Sequence, residues 1–106
     1  FNCVTIYNEY RLPDKFEEGD IVIDIGAHIG SFIYMCLKRG CKNIYAYEAL
    51  KDNYDIAFSN FKEEIDKGIV KQFMVHYNRL YPGWVIKGVC RGRNRIFKRR
   101  RNKYRN

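Results

Sequence analysis

Apolar residues in this chain come in short blocks set apart by charged and small residues. Ile21-Val22-Ile23-Asp24-Ile25 carries a single carboxylate, and its length and branched side chains predict a buried strand. Gly26 and Ala27 turn the chain, a second glycine follows at Gly30, and Ser31 to Arg39 has the apolar content of a helix. Ser31 is its expected cap, Lys38 and Arg39 favour its C-terminal end, and Gly40 stops it. Phe32, Ile33, Cys36 and Leu37 occupy adjoining faces, as in a helix lying on a sheet. Ile44 to Tyr47 predicts a second strand closed by Glu48. Leu50 to Asp66 predicts a second helix, with Tyr54, Ala57, Phe58, Phe61 and Ile65 at helical spacing and Lys67-Gly68 as its end. Ile69 to Val75, rich in Val, Ile and Phe, predicts a third strand. Before these, Cys3 to Tyr7 reads as a short strand and Leu12 to Gly19 as one helical turn opened by Pro13.

The order β-α-β-α-β predicts an α/β fold with a parallel sheet, Rossmann-like, joined by right-handed crossovers. Such a sheet takes its ligand at the carboxyl ends of its strands, where Asp24, Gly26 and Glu48 all fall. After Val75 the pattern changes. Tyr81-Pro82-Gly83-Trp84 suits a type II turn joining Phe73–Leu80 to Trp84–Cys90 in a hairpin.

Charge divides the chain. Of its 106 residues, positions 87–106 hold ten Lys and Arg and no acid, while the first 86 hold ten basic and all twelve acidic residues. Residues 1–86 are therefore read as a partial ligand-binding domain and 87–106 as a basic tail, disordered or irregular, because blocks of like charge repel themselves. The other reading of the tail is a nucleic-acid-binding arm, with Arg and Lys on phosphates and Phe97 and Tyr104 for stacking. The solvated tail is preferred. A doubly wound domain usually needs about 150 residues or more, so the unit is expected to be truncated and marginally stable. Without a fourth and fifth strand, Val22, Ile23 and Ile44 would be exposed on one side. No run approaches the roughly 18 apolar residues of a membrane span. Cys3, Cys36, Cys41 and Cys90 form no C-x-x-C pair and, with His28 and His76, no zinc spacing, so they are read as reduced thiols of a cytoplasmic protein without a metal.

The glycine spacing G-x-x-x-G differs from the G-x-G-x-x-G of dinucleotide sites, and Asp24 stands two residues ahead of the first glycine. A carboxylate there would repel a diphosphate and would suit a ligand carrying an ammonium and a sulfonium, such as S-adenosylmethionine. Glu48, eighteen residues after Gly30, is placed to accept from ribose hydroxyls. His28 is read as a turn residue whose backbone matters, and Asn60 as a local hydrogen-bonding residue of its helix.

Val22-Ile23-Asp24-Ile25-Gly26-Ala27-His28-Ile29-Gly30 followed by Ser31-Phe32, with Tyr47-Glu48-Ala49 later, resembles the class I S-adenosylmethionine-dependent methyltransferases, and most closely the FkbM-type family. Ala49 stands where that family usually has proline, Asn60 fits a common late position of its second helix, and the likeness runs from about Gly19 to Phe73. The resemblance implies S-adenosyl-L-methionine as cofactor, held by Asp24, Gly26, Ala27, His28, Gly30, Ser31, Phe32, Glu48 and Ala49. It implies O-methylation of a sugar, glycan or small-molecule hydroxyl, the acceptor being the expected partner. It assigns no catalytic residue here. A NAD-type nucleotide-binding fragment and a nucleic-acid-binding module acting through the tail are the alternatives.

Overall fold

The computed structural model describes residues 12–75, 84–92 and 94–102, with 84–86 and 94–102 through their backbone only. The expected strand at Cys3–Tyr7 and the turn at 81–83 lie outside the described residues. The elements are β1 (Ile21–Ile25), α1 (Ser31–Lys38), β2 (Ile44–Glu48), α2 (Lys51–Asn60), α3 (Lys62–Asp66), β3 (Val70–Met74), β4 (Trp84–Arg91) and β5 (Asn94–Asn102). Together they make a small α/β domain with a five-stranded mixed sheet in the order β3-β2-β1-β4-β5.

The first three strands are parallel, as the alternating order predicts, with Val22 beside Ile44 and Ile44 beside Val70. The rest corrects the expectation of an all-parallel sheet. The strand expected at Trp84–Cys90 forms as β4, but it pairs antiparallel with the open edge of β1, and the segment read as an irregular basic tail supplies the end of β4 and all of β5, antiparallel to β4. An unpaired strand edge leaves a row of backbone N–H and C=O groups without partners, and β4 satisfies them. Strand geometry also sends successive positions to opposite faces, which dilutes the like-charge repulsion that a compact tail would suffer. The hairpin expected between Phe73–Leu80 and Trp84–Cys90 does not form, because β3 and β4 stand on opposite sides of β2 and β1.

One row across the sheet explains the core. Val89, Val22, Ile44 and Val70 are register neighbours on four strands, and all are fully buried. Burying each contributes about 1.5–3 kcal/mol. Val22 and Ile44, expected to lie open, are instead buried within this row, and only Ile23, on the other face, remains 37% exposed. Phe32, Ile33, Met35 and Cys36 of α1, Ala57 of α2 and Phe61 cover this row.

Local expectations are also adjusted. Gly30, at φ 103°, not Ser31, stands at the N-cap of α1, and no side chain caps it. The single helix expected over Leu50–Asp66 is broken at Phe61 into α2 and α3. Phe58, placed on the buried stripe by its spacing, is 41% exposed and stacks on Tyr54. Leu12 to Gly19 is not a helical turn. Arg39 anchors it, its guanidinium donating to the carbonyls of Leu12 and Pro13 at 3.0 Å and its own carbonyl accepting from Phe16 N–H at 2.9 Å.

Gly30 has a packing reason to be glycine. A Cβ built there would stand 2.1 Å from Cε2 of the buried Phe61 ring, and the positive φ adds strain for any L-residue. Gly30→Ala is expected to destabilise the fold by about 2–4 kcal/mol, the sum of left-handed backbone strain and overpacking. Urea unfolding followed by circular dichroism measures it, and a change below about 1 kcal/mol would contradict this packing role.

Candidate functional site

On the helix-covered face, the row that follows the apolar one is polar. Lys87, Asp24, Ala46 and Gln72 are register neighbours across β4, β1, β2 and β3, and Glu48 ends β2 two positions further on. The carboxyl end of the sheet is therefore chemically distinct from its middle. This is where the crevice of an open α/β sheet lies.

Asp24 is fully buried and paired with Lys87, whose ammonium also donates to the carbonyl of Gly26 at 3.1 Å and lies 5.3 Å from the Phe32 ring centroid. Burial pushes the Asp24 carboxyl above the usual carboxylate range, and the Lys87 ammonium works against that push. The bare negative floor expected from Asp24 is therefore corrected: the pair is neutral as a unit. Selection of a cationic ligand by Asp24 alone does not survive this. One oxygen of the pair, Asp24 Oδ2, is buried without a hydrogen bond, as is Gln72 Oε1 in the same row. A buried acceptor left unpaired costs about 1–3 kcal/mol, so each is an open position for a donor.

The turn after β1 is held from β2. Gly26 N–H and Ala27 N–H both donate to the Tyr47 carbonyl, at 2.8 and 3.0 Å, and Gly30 N–H donates to Ala27 O at 3.1 Å. His28 adopts φ 56° and gives its N–H to Glu48 Oε1 at 2.8 Å. The other Glu48 oxygen accepts from Leu50 N–H at 2.9 Å, so the carboxylate also arches over Ala49. Four amides between Gly26 and Gly30 are thus spent inside the protein. A phosphate cradle needs such amides free. Glu48 is buried, yet an ionised carboxylate has about four lone-pair sites and only two of these amide bonds fall on it.

Of the residues expected to bind cofactor, Asp24, Gly26, Ala27, His28, Glu48 and Ala49 are brought together around this turn. Gly30 serves α1 and Phe61, Ser31 opens α1, and Phe32 sits in the core under Lys87. Asn60 lines a separate groove with Tyr34, Leu37 and Cys41. Sequence reasoning missed Lys87 because it counted as one cation among ten. The available signal was its place two positions before Val89 in the apolar run Trp84–Cys90. Gln72 was missed as well, for lack of any motif.

Further back, Asp20 is buried and takes a bidentate grip from Arg91, Nε to Oδ1 and Nη2 to Oδ2, each at 2.9 Å, while also accepting from Glu17 N–H. These bonds hold its carboxyl below the ordinary value of 3.8. Cys36, Cys41 and Cys90 are free thiols, and burial raises Cys36 and Cys41. Among the described residues no cluster suits a metal ion, and no helix is long and apolar enough to cross a membrane. No family model matches the chain, and neither a curated protein nor a solved structure is detectably similar to it.

Removing one partner of the buried pair strands the other charge. Lys87→Met is expected to cost about 3–5 kcal/mol, and pairing it with Asp24→Leu should restore most of that loss. Urea melts of the single and double variants decide this; an equally unstable double variant would show that the pair is not the source. For Asp20 the folded-state value is depressed, so its contribution is present above 3.8 and lost as pH falls through the lower folded value. Wild type should exceed Asp20→Asn in stability at neutral pH and converge with it at acid pH. A gap that stays constant down to the acid transition would refute the linkage.

Proposed function

We propose that this chain carries the S-adenosylmethionine-binding half of a class I, FkbM-like methyltransferase, built on a Rossmann-like β1–α1–β2 unit. The hydrogen-bond balance of the Gly26–Gly30 turn carries the reading. The amides of Gly26, Ala27, His28 and Gly30 are spent internally, and the buried side-chain oxygens left over beside them are acceptors: Asp24 Oδ2 and the spare lone pairs of Glu48. A ligand that offers donors, such as ribose hydroxyls and an ammonium, complements that surplus. A diphosphate brings only acceptors, which speaks against the NAD-type alternative.

The residues fit the cofactor in kind. Glu48 would hold the ribose hydroxyls, Asp24 Oδ2 would take a donor of the amino-acid part, and the turn would allow close approach of backbone. When bound, the cofactor supplies a sulfonium-activated methyl group for in-line displacement. The protein's part is to fix the turn, through Tyr47 O and Glu48, so that the acceptor meets the methyl in one geometry. The acceptor class that the resemblance implies is a hydroxyl of a sugar, glycan or small natural product. No residue of this chain is assigned as its base.

Calorimetry with S-adenosylhomocysteine tests the reading. Binding is expected, and Glu48→Gln should weaken it about tenfold or more, the loss of a charge-assisted hydrogen bond. Folded wild-type protein that yields no heat, or a Glu48→Gln variant that binds equally, would remove the proposal.

A further inference from the structure

The sheet has a second face, and its composition is unlike the first. Among the described strands, the helices cover the side that carries Val22, Asp24, Ile44, Ala46, Glu48, Val70, Lys87 and Val89. The opposite side carries Ile21, Ile23 and Ile25 of β1, Tyr45 and Tyr47 of β2, and Lys71 and Phe73 of β3. Ile23 and Phe73 are exposed, and the others are half-buried. Directly paired positions share a face, so the register extends this side onto the hairpin. Lys98 pairs with Gly88 and Gly88 with Ile23; Arg100 pairs with Ile86 and Ile86 with Ile25; Arg95 pairs with Cys90 and Cys90 with Ile21.

Two rows result. One reads Phe73, Tyr47, Ile25, Ile86, Arg100, and the next reads Lys71, Tyr45, Ile23, Gly88, Lys98. Each spans four strand spacings, about 19 Å. The described aromatic rings of this face lie on β2 and β3, where Lys71 is their one cation, and the remaining cationic positions lie on β5. Phe73 and Tyr47 stack at 5.1 Å between centroids, and Phe73 is the outer ring of the pair at 42% exposure. Lys71 lies 4.8 Å from the Tyr45 ring centroid. No carboxylate falls on this side of the five strands, because the two strand acids, Asp24 and Glu48, both sit on the covered face.

We infer that this sheet face, which none of the described helices covers, is a binding site for single-stranded nucleic acid. A planar base adds to the free side of Phe73 and continues the Phe73–Tyr47 stack, since every base offers a π-face. Phosphates run toward the cationic positions of β5, Arg95, Lys98 and Arg100, where nothing of like charge to the ligand repels them. A duplex hides its bases and so offers only phosphates. Apolar partners would meet the cationic half of the face, and a second copy related by a twofold axis perpendicular to the strands would set cation against cation. The site lies on the opposite side of the sheet from Asp24 and Glu48, so it stands or falls apart from cofactor binding.

Fluorescence anisotropy on the whole chain tests this, using labelled oligo(U) and oligo(dT) of roughly twelve nucleotides and a duplex of equal length. Both single strands are expected to bind, with affinity falling as salt rises, and the duplex about tenfold more weakly. Phe73→Ala and Phe73→Leu should each weaken single-strand binding about tenfold with the salt slope unchanged. Lys98→Ser with Arg100→Ser should lower that slope by roughly 1. Phe73 is exposed on an edge strand, and circular dichroism checks that its variants fold. Absent binding, equal affinity for duplex, or Phe73→Leu binding like wild type would each overturn the inference. A sedimenting dimer that oligonucleotide leaves intact would overturn it too, assigning the face to a second copy. Adenosylhomocysteine binding should be the same in wild type and Phe73→Leu.

Discussion

A buried carboxylate on the central strand and a buried ammonium on its neighbour hold this molecule in register. Asp24 and Lys87 face each other across β1 and β4, and a slip of one residue would send Lys87 to the uncovered face and leave Asp24 alone in the core. Arg91 on Asp20, four residues along each strand, fixes the same alignment a second time. The apolar row Val89–Val22–Ile44–Val70 then follows, since it requires β4 in that register and no other. The most basic stretch of the chain is thereby bound to the most apolar one.

That pairing also changes the chemistry at the end of β1. With Lys87 in place the local charge is balanced, and preference among ligands passes from net charge to hydrogen-bond inventory. The turn after β1 spends the amides of Gly26 and Ala27 on Tyr47 and that of His28 on Glu48, and Asp24 Oδ2 stays a buried acceptor without a partner. Buried acceptors without partners are costly, so the arrangement favours a ligand rich in donors over one rich in oxygens.

The two faces of the sheet follow from one fact about β1. Ile-Val-Ile-Asp-Ile is apolar on both sides, as strands buried on both faces are, yet the described helices lie over one side only. The uncovered side keeps its isoleucines and gains aromatic neighbours from β2 and β3 and cationic positions from β5. An apolar strand face flanked in this way is a surface on which a flat, anionic polymer has more to gain than water does.

From the sequence alone came β1, α1, β2, β3 and the extent of β4 within a residue or so, because strand length, branched side chains and glycine stops act locally. The gathering of Gly26, His28 and Glu48 at one end of the sheet was legible too, since a β-α-β crossover places successive strand ends side by side. The break at Phe61 and the exposure of Phe58 were not, because helical spacing fixes which residues share a stripe but not how wide a stripe the sheet has room to cover. The partner of β4 and the fate of the basic segment 94–102 were decided by tertiary structure. Composition describes ten cations as a repelling block, whereas pairing with the free edge of β1 separates them strand by strand and gives Lys87 and Arg91 buried carboxylates to meet. Those partners lie 63 and 71 residues earlier in the chain, a range over which local pattern carries no information.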